Sequence, residues 1–228
     1  MTSLRPAALL TDMDGTLVDT EPYWMAAETE LIESFGGTWT HEDALEVVGS
    51  GLESAAVIFQ SRGVDLGVPE IIDRLTDRVL ERIEVTVPWR PGARELLAAV
   101  RAAGIPVALV TMSVHRMAHR VAQAMPAGTF AAIVPGDDVR SKPLPDAYLA
   151  AAQLLGIDPR DAVALEDSEP GVASAVAAGA STIAVPLHVH LPESPAYTLW
   201  HGLENRTLDD LAAVHGERRE LRMRSRRP

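Results

Sequence analysis

Short apolar runs alternate with segments of helical spacing through most of the chain. The apolar runs are four to six residues long, which is typical of buried strands rather than helices. Because strands that alternate with helices are joined by right-handed crossovers, this pattern predicts a parallel sheet covered by helices on both faces. The fold class we expect is therefore α/β, with a doubly wound, Rossmann-like core. The predicted strands are 8–11, 105–110, 131–134, 162–165 and 182–185, and the predicted helices between the later strands are 93–103, 115–124, 145–155 and one that ends near 178.

Residues 20–87 follow a different pattern. Apolar side chains recur there at helical spacing, with Trp24 and Phe35 on one face, and no strand-like run interrupts them. Glycines and prolines separate the helical stretches. We therefore predict a small all-helical cap domain at 20–87, inserted into an α/β core that is formed by 1–19 and 88–216.

The composition limits the classes of function. With 228 residues and 47% hydrophobic content, the chain can bury a sizeable core. Its net charge of −12 argues against nucleic-acid binding, since phosphate backbones are held by Lys and Arg. The lack of cysteine excludes disulfides and thiolate chemistry. Because the sequence has neither a long apolar run nor a secretory leader, we expect no membrane contact and a cytoplasmic location, and we favour a monomer.

The end of the chain is basic, in contrast to the rest. Residues 217–228 carry six arginines and two glutamates. A charge run at a terminus is most often a solvated, frayed end. We expect this basic tail to be disordered, with a contact to an anionic partner as the alternative.

The first predicted strand ends in a pair of carboxylates. Asp12 and Asp14 are two residues apart, so that in an extended chain both side chains point to the same side. Gly15 follows and allows a sharp turn. Two like charges this close need a cation or a shared proton for compensation. The simpler alternative is a surface turn with two solvated aspartates, and the rest of the chain has to decide between the two.

Other predicted strands also end in polar residues. Thr111 and Ser113 follow the second strand, Glu166 and Asp167 follow the fourth, and Lys142 lies in a loop before a helix. Since ligands of such sheets bind at the carboxyl ends of the strands, these side chains are expected to meet. Carboxylates without soft ligands suit Mg²⁺, while hydroxyls and an ammonium suit phosphate. The sequence thus predicts a site for both at one edge of the sheet.

Four motifs in sequence carry a family resemblance. They are DMDGTLVDTE at 12–21, LVTMS at 109–113, GDDVRSKP at 136–143 with PD at 145–146, and LEDS at 165–168 with Gly171 and AAG at 177–179. With these motifs the sequence resembles the haloacid dehalogenase superfamily of phosphotransferases, in the branch with a small helical cap that includes β-phosphoglucomutase and sugar-phosphate phosphatases. The resemblance covers roughly residues 7–186.

The resemblance implies a reaction and a metal. Asp12 would attack the phosphorus of a phosphomonoester to form an aspartyl-phosphate, and Asp14 would act as general acid and then as general base. Mg²⁺ would be held by Asp12, the main-chain carbonyl of Asp14, Asp167 and Glu166. The function implied by the resemblance is the Mg²⁺-dependent hydrolysis of a small phosphorylated metabolite.

The resemblance also implies how phosphate is bound. Thr111 and Lys142 would bind the phosphoryl oxygens, helped by main-chain amides around Met112 and Ser113. The cap would close over the site and exclude water. Ser141 stands where the family commonly has glycine, so a positive φ at this position would strain the loop that carries Lys142.

Two cap positions bear on the choice between a phosphatase and a phosphomutase. Trp24 stands where resemblance to the mutase would place a histidine, and Leu52 stands where it would place an arginine. Neither side chain can engage a second phosphate, so we expect a phosphatase whose cap meets the substrate at these two residues. A sugar phosphomutase and a non-catalytic binding protein on the same fold are the alternatives.

Overall fold

The computed structural model describes residues 5–48 and 50–224, which contain a six-stranded sheet with parallel pairing throughout. The strand order is β3-β2-β1-β4-β5-β6, so the chain starts in the middle of the sheet and winds outwards in both directions. This order confirms the predicted doubly wound fold class. The strands are β1 (Ala8–Thr11), β2 (Val107–Val110), β3 (Ala132–Val134), β4 (Ala162–Glu166), β5 (Ser181–Ala184) and β6 (Thr198–Leu199).

Helices pack against both faces of the sheet. Leu9 and Leu109 belong to one apolar layer, whereas Leu10 and Ala108 belong to the other, because successive side chains of a strand point to opposite faces. The second layer is rich in alanine, whose small side chain lets its helices approach the sheet closely. The first layer contains α5 (Ala93–Ala102), α6 (His115–Ala122) and α9 (Leu208–Arg224), and the second contains α7 (Asp146–Leu155) and α8 (Glu169–Ala178).

Four further helices are described between β1 and α5. Two of them, α1 and α4, pack against each other, and the rings of Trp39 and Phe59 meet edge to face with 5.2 Å between their centroids. The helices lie within the predicted cap, whose bounds of 20–87 stay a prediction. They are α1 (Glu21–Ser34), α2 (His41–Leu45), α3 (Leu52–Ser61) and α4 (Val68–Val85).

Ion pairs link the cap to the core on the surface. Arg116 of α6 donates a hydrogen bond to Asp73 Oδ1 at 3.1 Å and a second one to the Asp77 carboxylate, and both aspartates belong to α4. All three side chains are exposed. The contact therefore joins the two parts of the chain through charges that water and salt can screen.

The expectation of a disordered basic tail is wrong for residues 217–224, because they form the end of α9. Arg222 donates to the main-chain carbonyl of Gly179 at 2.7 Å and to Ser181 Oγ at 2.9 Å, and Arg219 pairs with Asp161 at 2.9 Å. These contacts thus hold the end of the helix against β5 and the segments that precede β4 and β5. Residues 225–228 lie outside the described residues.

The described helices differ from membrane spans in length and in polarity. The longest of them, α4, has 18 residues and carries charged side chains along its length. None of the helices in the two described ranges is both long enough and apolar enough to cross a bilayer.

Candidate active site

The loop after β1 carries Asp12 and Asp14 to the carboxyl edge of the sheet. The Asp12 amide donates to the main-chain carbonyl of Leu165 at 3.0 Å, which continues the pairing of β1 with β4. Gly15 has a φ of +76°, and a Cβ atom on it would lie 2.0 Å from Asp167 Oδ2. Only glycine therefore permits both this turn and the close approach of Asp167.

A buried arginine that the sequence analysis missed fixes this loop. Arg90 Nη1 donates to the main-chain carbonyls of Gly15 and, at 2.7 Å, Val185. Burial lowers the pKa of the guanidinium, and the nearby charges of Asp167 and Asp19 partly offset this effect. Because arginine keeps its proton in proteins, Arg90 places a permanent positive charge behind the loop and ties it to the chain after β5.

Three buried carboxylates meet at this edge of the sheet. Asp12, Glu166 and Asp167 each place one oxygen so that the three atoms lie within 4.8 Å of one another. Burial raises the pKa of Asp167 well above its ordinary value, and the charges of Asp12 and Glu166 raise it further. Burial likewise raises the pKa of Glu166 to about 7, although Lys142 opposes this shift. Burial and the neighbouring carboxylates therefore disfavour the fully ionised cluster unless a further positive charge lies nearby.

This donor set fits a hard divalent cation. Asp12 Oδ2 is buried and has no hydrogen-bond partner among the described residues, which is costly for a carboxylate oxygen that nothing binds. Mg²⁺ binds carboxylate oxygens at about 2.0–2.1 Å, so that opposite ligands of one ion lie about 4.2 Å apart. The three oxygens of the cluster lie within 4.8 Å of one another, so they are near enough to contribute to one site. The residues present thus suit the Mg²⁺ that the sequence predicts.

Lys142, the single lysine of the chain, is buried against the cluster. Its Nζ lies 2.7 Å from Asp12 Oδ1, 2.6 Å from Glu166 Oε1 and 3.1 Å from the main-chain oxygen of Val110. Burial lowers the pKa of the ammonium, but the two carboxylates raise it above its ordinary value. Since an ammonium has three N–H donors, these three acceptors use all of them. Lys142 holds Asp12 in this structure, and an anion that binds to Lys142 would have to replace one of the acceptors.

Asp14 is surrounded by hydroxyl groups. Its Oδ1 accepts a hydrogen bond from Thr20 at 2.5 Å, and its Oδ2 accepts from Ser113 at 2.7 Å and from Thr111 at 3.2 Å. Burial raises the pKa of Asp14 and the charge of Asp12 adds to the rise, while the three hydrogen bonds lower it. A raised pKa favours the protonated carboxyl group that a general acid needs.

A cavity of about 90 Å³ separates these residues from the cap. Glu166 is fully buried and does not belong to its lining. The other residues named as site candidates from the sequence all line it: Asp12, Asp14, Thr111, Met112, Ser113, Lys142 and Asp167 from the core, and Trp24 and Leu52 from the cap. The structure therefore brings distant parts of the sequence together around one small space.

The condition for strain at Ser141, a positive φ, is not met. Among the described residues, Asn205 is the one non-glycine residue with a positive φ, so Ser141 does not need a conformation that favours glycine. The Ser141 side chain instead faces the cap, because a Cβ atom on Gly51 would lie 2.9 Å from its Oγ. Serine at this position thus makes the loop of Lys142 a close neighbour of the cap.

A family model for haloacid dehalogenase-like hydrolases matches residues 6–179. The chain belongs to this family. The match includes all four motifs on which the resemblance was based, and it confirms that resemblance.

This haloacid dehalogenase-like hydrolase is similar to sugar-phosphate enzymes. Hexitol phosphatase A of Escherichia coli (strain K12) is 36% identical over 216 residues, which are 90% of this chain and 95% of that protein. Hexitol phosphatase B of the same organism is 33% identical over 184 residues, which are 78% and 83% of the two chains. The crystal structure of CbbY from Rhodobacter sphaeroides in complex with phosphate has a TM-score of 0.82 at 29% identity, covering 90% of this chain and 99% of CbbY. A mutant of that CbbY was solved in complex with xylulose-(1,5)bisphosphate.

Two acidic residues of the cap, which the sequence analysis missed, are among the further residues that line the cavity of this hydrolase. Burial raises the pKa of Glu21 to about 8, with the charge of Glu28 adding to the rise, and burial raises the pKa of Glu28 to about 7. Glu28 also accepts a hydrogen bond from the Trp39 indole at 3.1 Å. Both glutamates are at helical spacing from Trp24 on α1, so that spacing was the available signal.

Proposed function

We propose that this chain is a Mg²⁺-dependent phosphomonoester hydrolase that acts on a small phosphorylated metabolite through an aspartyl-phosphate. The observation that carries the proposal is the asymmetric environment of Asp12. Lys142 holds one of its oxygens at 2.7 Å, while the other is buried with no hydrogen-bond partner in the described part of the chain. Such a carboxylate is oriented and poorly solvated beside the cavity, which suits a nucleophile.

Asp12 and Asp14 divide the chemistry between them. An Asp12 oxygen attacks phosphorus and forms a P–O bond, while the bond from phosphorus to the leaving alcohol breaks. Asp14 gives its proton to the leaving oxygen, and it later accepts a proton from the water that hydrolyses the aspartyl-phosphate. The raised pKa of Asp14 supports this order, because burial favours the protonated form of its carboxyl group.

Asp12, Asp167 and the main-chain carbonyl of Asp14 would hold Mg²⁺. When bound, the ion neutralises the repulsion between a carboxylate nucleophile and the anionic phosphoryl group. Glu166 is the fourth group that the family resemblance implies as a ligand. Its Oε1 is already paired with Lys142 at 2.6 Å and its Oε2 accepts the Asp167 amide at 3.2 Å, so we assign Glu166 mainly to holding Lys142.

Thr111, Met112, Ser113 and Lys142 would receive the phosphoryl oxygens. They line the cavity beside Asp12, and the hydroxyls and amides among them are donors that suit an anion. Lys142 reaches a phosphoryl oxygen by releasing the carbonyl of Val110, which at 3.1 Å is the longest of its three contacts. The lysine then neutralises charge on the transferred group while it still holds the nucleophile.

The cap has to move for the substrate to enter. The cavity of about 90 Å³ is small beside the range of about 300–1,000 Å³ that is usual for ligand pockets. A metabolite larger than phosphate therefore needs a wider opening between cap and core. Closure after binding excludes water during the attack and brings Trp24 and Leu52 to the leaving group.

Hydrolysis is favoured over phosphomutase chemistry by the charges around the cavity. Lys142 is the one basic residue among the described residues that line it, and it is already paired with Asp12. A mutase has to hold a second phosphate, for which Trp24 and Leu52 offer no donor with a positive charge. Glu21 and Glu28 suit the hydroxyls of an uncharged leaving group instead. Because hexitol phosphatases are among the relatives, we propose hexitol monophosphates as the first substrates to test.

The test is the release of inorganic phosphate from a hexitol monophosphate, with and without Mg²⁺. We expect release that needs Mg²⁺ and falls at least about 10³-fold in Asp12→Asn, which keeps the shape of the side chain but removes the nucleophilic charge. Asp65→Asn is the matched control, because Asp65 is an exposed cap residue outside the lining. Interconversion of hexose phosphates without phosphate release would establish the mutase alternative. Binding of phosphate without turnover of any phosphomonoester would establish the non-catalytic one.

A further inference from the structure

We propose that Tyr148 is a positioning residue whose hydroxyl fixes Glu166 and, through Glu166, holds Lys142 against Asp12. The effect of Tyr148 on kcat rests on the proposed function, whereas its effect on the position of Lys142 does not. Tyr148 belongs to α7, on the face of the sheet opposite to the helices that pack near Leu9. It does not line the cavity and touches the site from behind.

Three short contacts connect Tyr148 to the nucleophile. The Tyr148 hydroxyl donates to Glu166 Oε1 at 2.7 Å, and the same oxygen lies 2.6 Å from Lys142 Nζ. Lys142 Nζ in turn lies 2.7 Å from Asp12 Oδ1. All four side chains are buried, so bulk water cannot replace a lost contact.

The tyrosine itself is rigidly placed. Its side chain is fully buried in the alanine-rich layer that contains Ala108 and Ala164, and its ring centroid lies 5.4 Å from Lys142 Nζ. A phenol in such a layer needs a hydrogen-bond partner, and Glu166 is that partner. Burial and the charge of Glu166 raise the pKa of Tyr148, so that the hydroxyl keeps the proton it donates. The ring therefore fixes where the hydroxyl points.

Glu166 is held between Tyr148 and a glycine. The Glu166 carboxylate packs directly against the main chain of Gly171, because a Cβ atom on that glycine would lie 1.9 Å from Oε2. On the other side, Oε1 is shared between the Tyr148 hydroxyl and Lys142. Without the hydroxyl, Oε1 keeps Lys142 as its partner but loses the contact that fixes its direction, so a turn of the carboxylate about its terminal bond moves Lys142 with it. Since all three donors of Lys142 are in use, such a turn disturbs its contact with Asp12.

The single lysine of the chain makes this inference directly measurable. Protein grown with isotopically labelled lysine gives one side-chain ammonium signal in an NMR spectrum, and this signal belongs to Lys142. Tyr148→Phe removes only the hydroxyl and keeps the ring that packs against the alanine layer. Tyr197→Phe is the matched control, because its hydroxyl donates to the main-chain carbonyl of Pro192 and its side chain does not line the cavity. We expect the Lys142 signal of the metal-free protein to shift in Tyr148→Phe and to stay in place in Tyr197→Phe.

The kinetic measurement separates positioning from packing. We expect Tyr148→Phe to lower kcat about 10-fold, the rate equivalent of one hydrogen bond to a charged group, and to change KM less than about twofold. In a Glu166→Gln background the same substitution should lower kcat less than about twofold further, because the residue through which Tyr148 acts is already altered. Thermal melts followed by circular dichroism establish that each variant is folded.

Each outcome supports or overturns the inference. A shifted Lys142 signal, together with a lower kcat that depends on Glu166, supports it. An unchanged signal overturns it whatever the activity does, and so does a shifted signal with an unchanged kcat. An equal loss of kcat in both backgrounds also overturns it, because Tyr148 then does not act through Glu166. If the wild-type protein hydrolyses no phosphomonoester, the proposed function fails, while the NMR signal still decides whether Tyr148 positions Lys142.

Discussion

Acidification should destabilise the fold through His215, a buried histidine of α9. His215 Nδ1 lies 3.1 Å from Ser181 Oγ on β5, and the residue is 1% exposed. Burial lowers the pKa of His215 from 6.5 to about 4, and the charges of Arg219 and Arg222 add to the lowering. The folded protein therefore holds this imidazole neutral over a pH range in which the unfolded chain protonates it.

The sign and the size of the effect follow from these two pKa values. Between pH 6.5 and pH 4 the unfolded chain binds a proton that the folded protein does not, so stability is lost as the pH falls through this window. The full difference between the pKa values of His215 in the unfolded and folded states corresponds to about 3 kcal/mol of unfolding free energy, since each pKa unit is worth about 1.4 kcal/mol. The side chains of Arg219 and Asp161 are about half exposed and their charges are screened, so we expect about 2 kcal/mol.

Urea unfolding of paired variants at a series of pH values isolates this contribution. Glu21, Glu28 and Glu166 have raised pKa values and change the stability in the opposite direction over part of the same window, so the useful quantity is a difference between variants. The stability of the wild type relative to His215→Gln should rise from pH 4 to pH 6.5 and stay level above it. His201→Gln, at an exposed histidine, should run parallel to the wild type. A pH-independent difference between the wild type and His215→Gln would refute the reasoning.

Three further predictions concern the site and the cap. Gly15→Ala should lower kcat at least about tenfold with little change in secondary structure by circular dichroism, because its Cβ atom would clash with Asp167; activity within twofold of the wild type would contradict the observed geometry. Mg²⁺ at a hundred times its dissociation constant should stabilise the wild type by about 2.7 kcal/mol and raise its melting temperature accordingly. It should not raise the melting temperature of Asp167→Asn, and an equal rise in both proteins would place the ion elsewhere. Arg116→Ala should lower the free energy of unfolding in urea by at most about 1 kcal/mol and should remove part of the salt dependence of KM, because the pairs of Arg116 with Asp73 and Asp77 are exposed. An unchanged salt dependence would argue against a role of these pairs in cap movement.

The sequence was sufficient to predict which strand ends come together at the candidate site. Apolar runs located β1 to β5 within a few residues, and the rule that ligands bind at the carboxyl ends of parallel strands then brought Asp12, Thr111 and Asp167 to one edge. This step needs no knowledge of helix packing, because all strands of such a sheet end on the same side. Strand ends are therefore the part of the site that a single sequence reveals most readily.

The end of the chain shows why composition can mislead. The arginines of α9 look like a solvated run, but some of their partners are main-chain carbonyls such as that of Gly179, and no side-chain pattern reveals these acceptors. A signal for the start of the helix was present. Thr207 and Asp210 exchange hydrogen bonds in a capping box, with the Thr207 amide donating to the Asp210 carboxylate at 2.8 Å. This capping box predicts a helix that begins at Leu208, and such a helix extends the core to Arg224.

Tyr148 and Arg90 escaped the sequence analysis for a related reason. Both act from behind the site, one on the side chain of Glu166 and the other on the main-chain carbonyl of Gly15. Neither lies at a strand end, and α7 carries its tyrosine among small apolar residues at core spacing. Supporting residues of this kind follow from the way in which helices dock on the sheet, and that information is not local in the sequence.

Counting the buried charges explains why the acidic cluster and the cation that fits it belong together. Asp12, Asp14, Glu166 and Asp167 face two nearby cations, Lys142 and Arg90. If Asp14 is protonated, as proposed for a general acid, and the other three carboxyl groups are ionised, the site carries one net negative charge and would repel a phosphate dianion. A bound divalent cation would reverse this sign and make the same site attractive to that dianion. Burial, and after it the charges of neighbouring carboxylates, raises the pKa values of Glu166 and Asp167, so both carboxyl groups need a further positive charge nearby to stay ionised. The same cation that would keep them ionised would also attract the phosphate, so both effects would have one electrostatic cause.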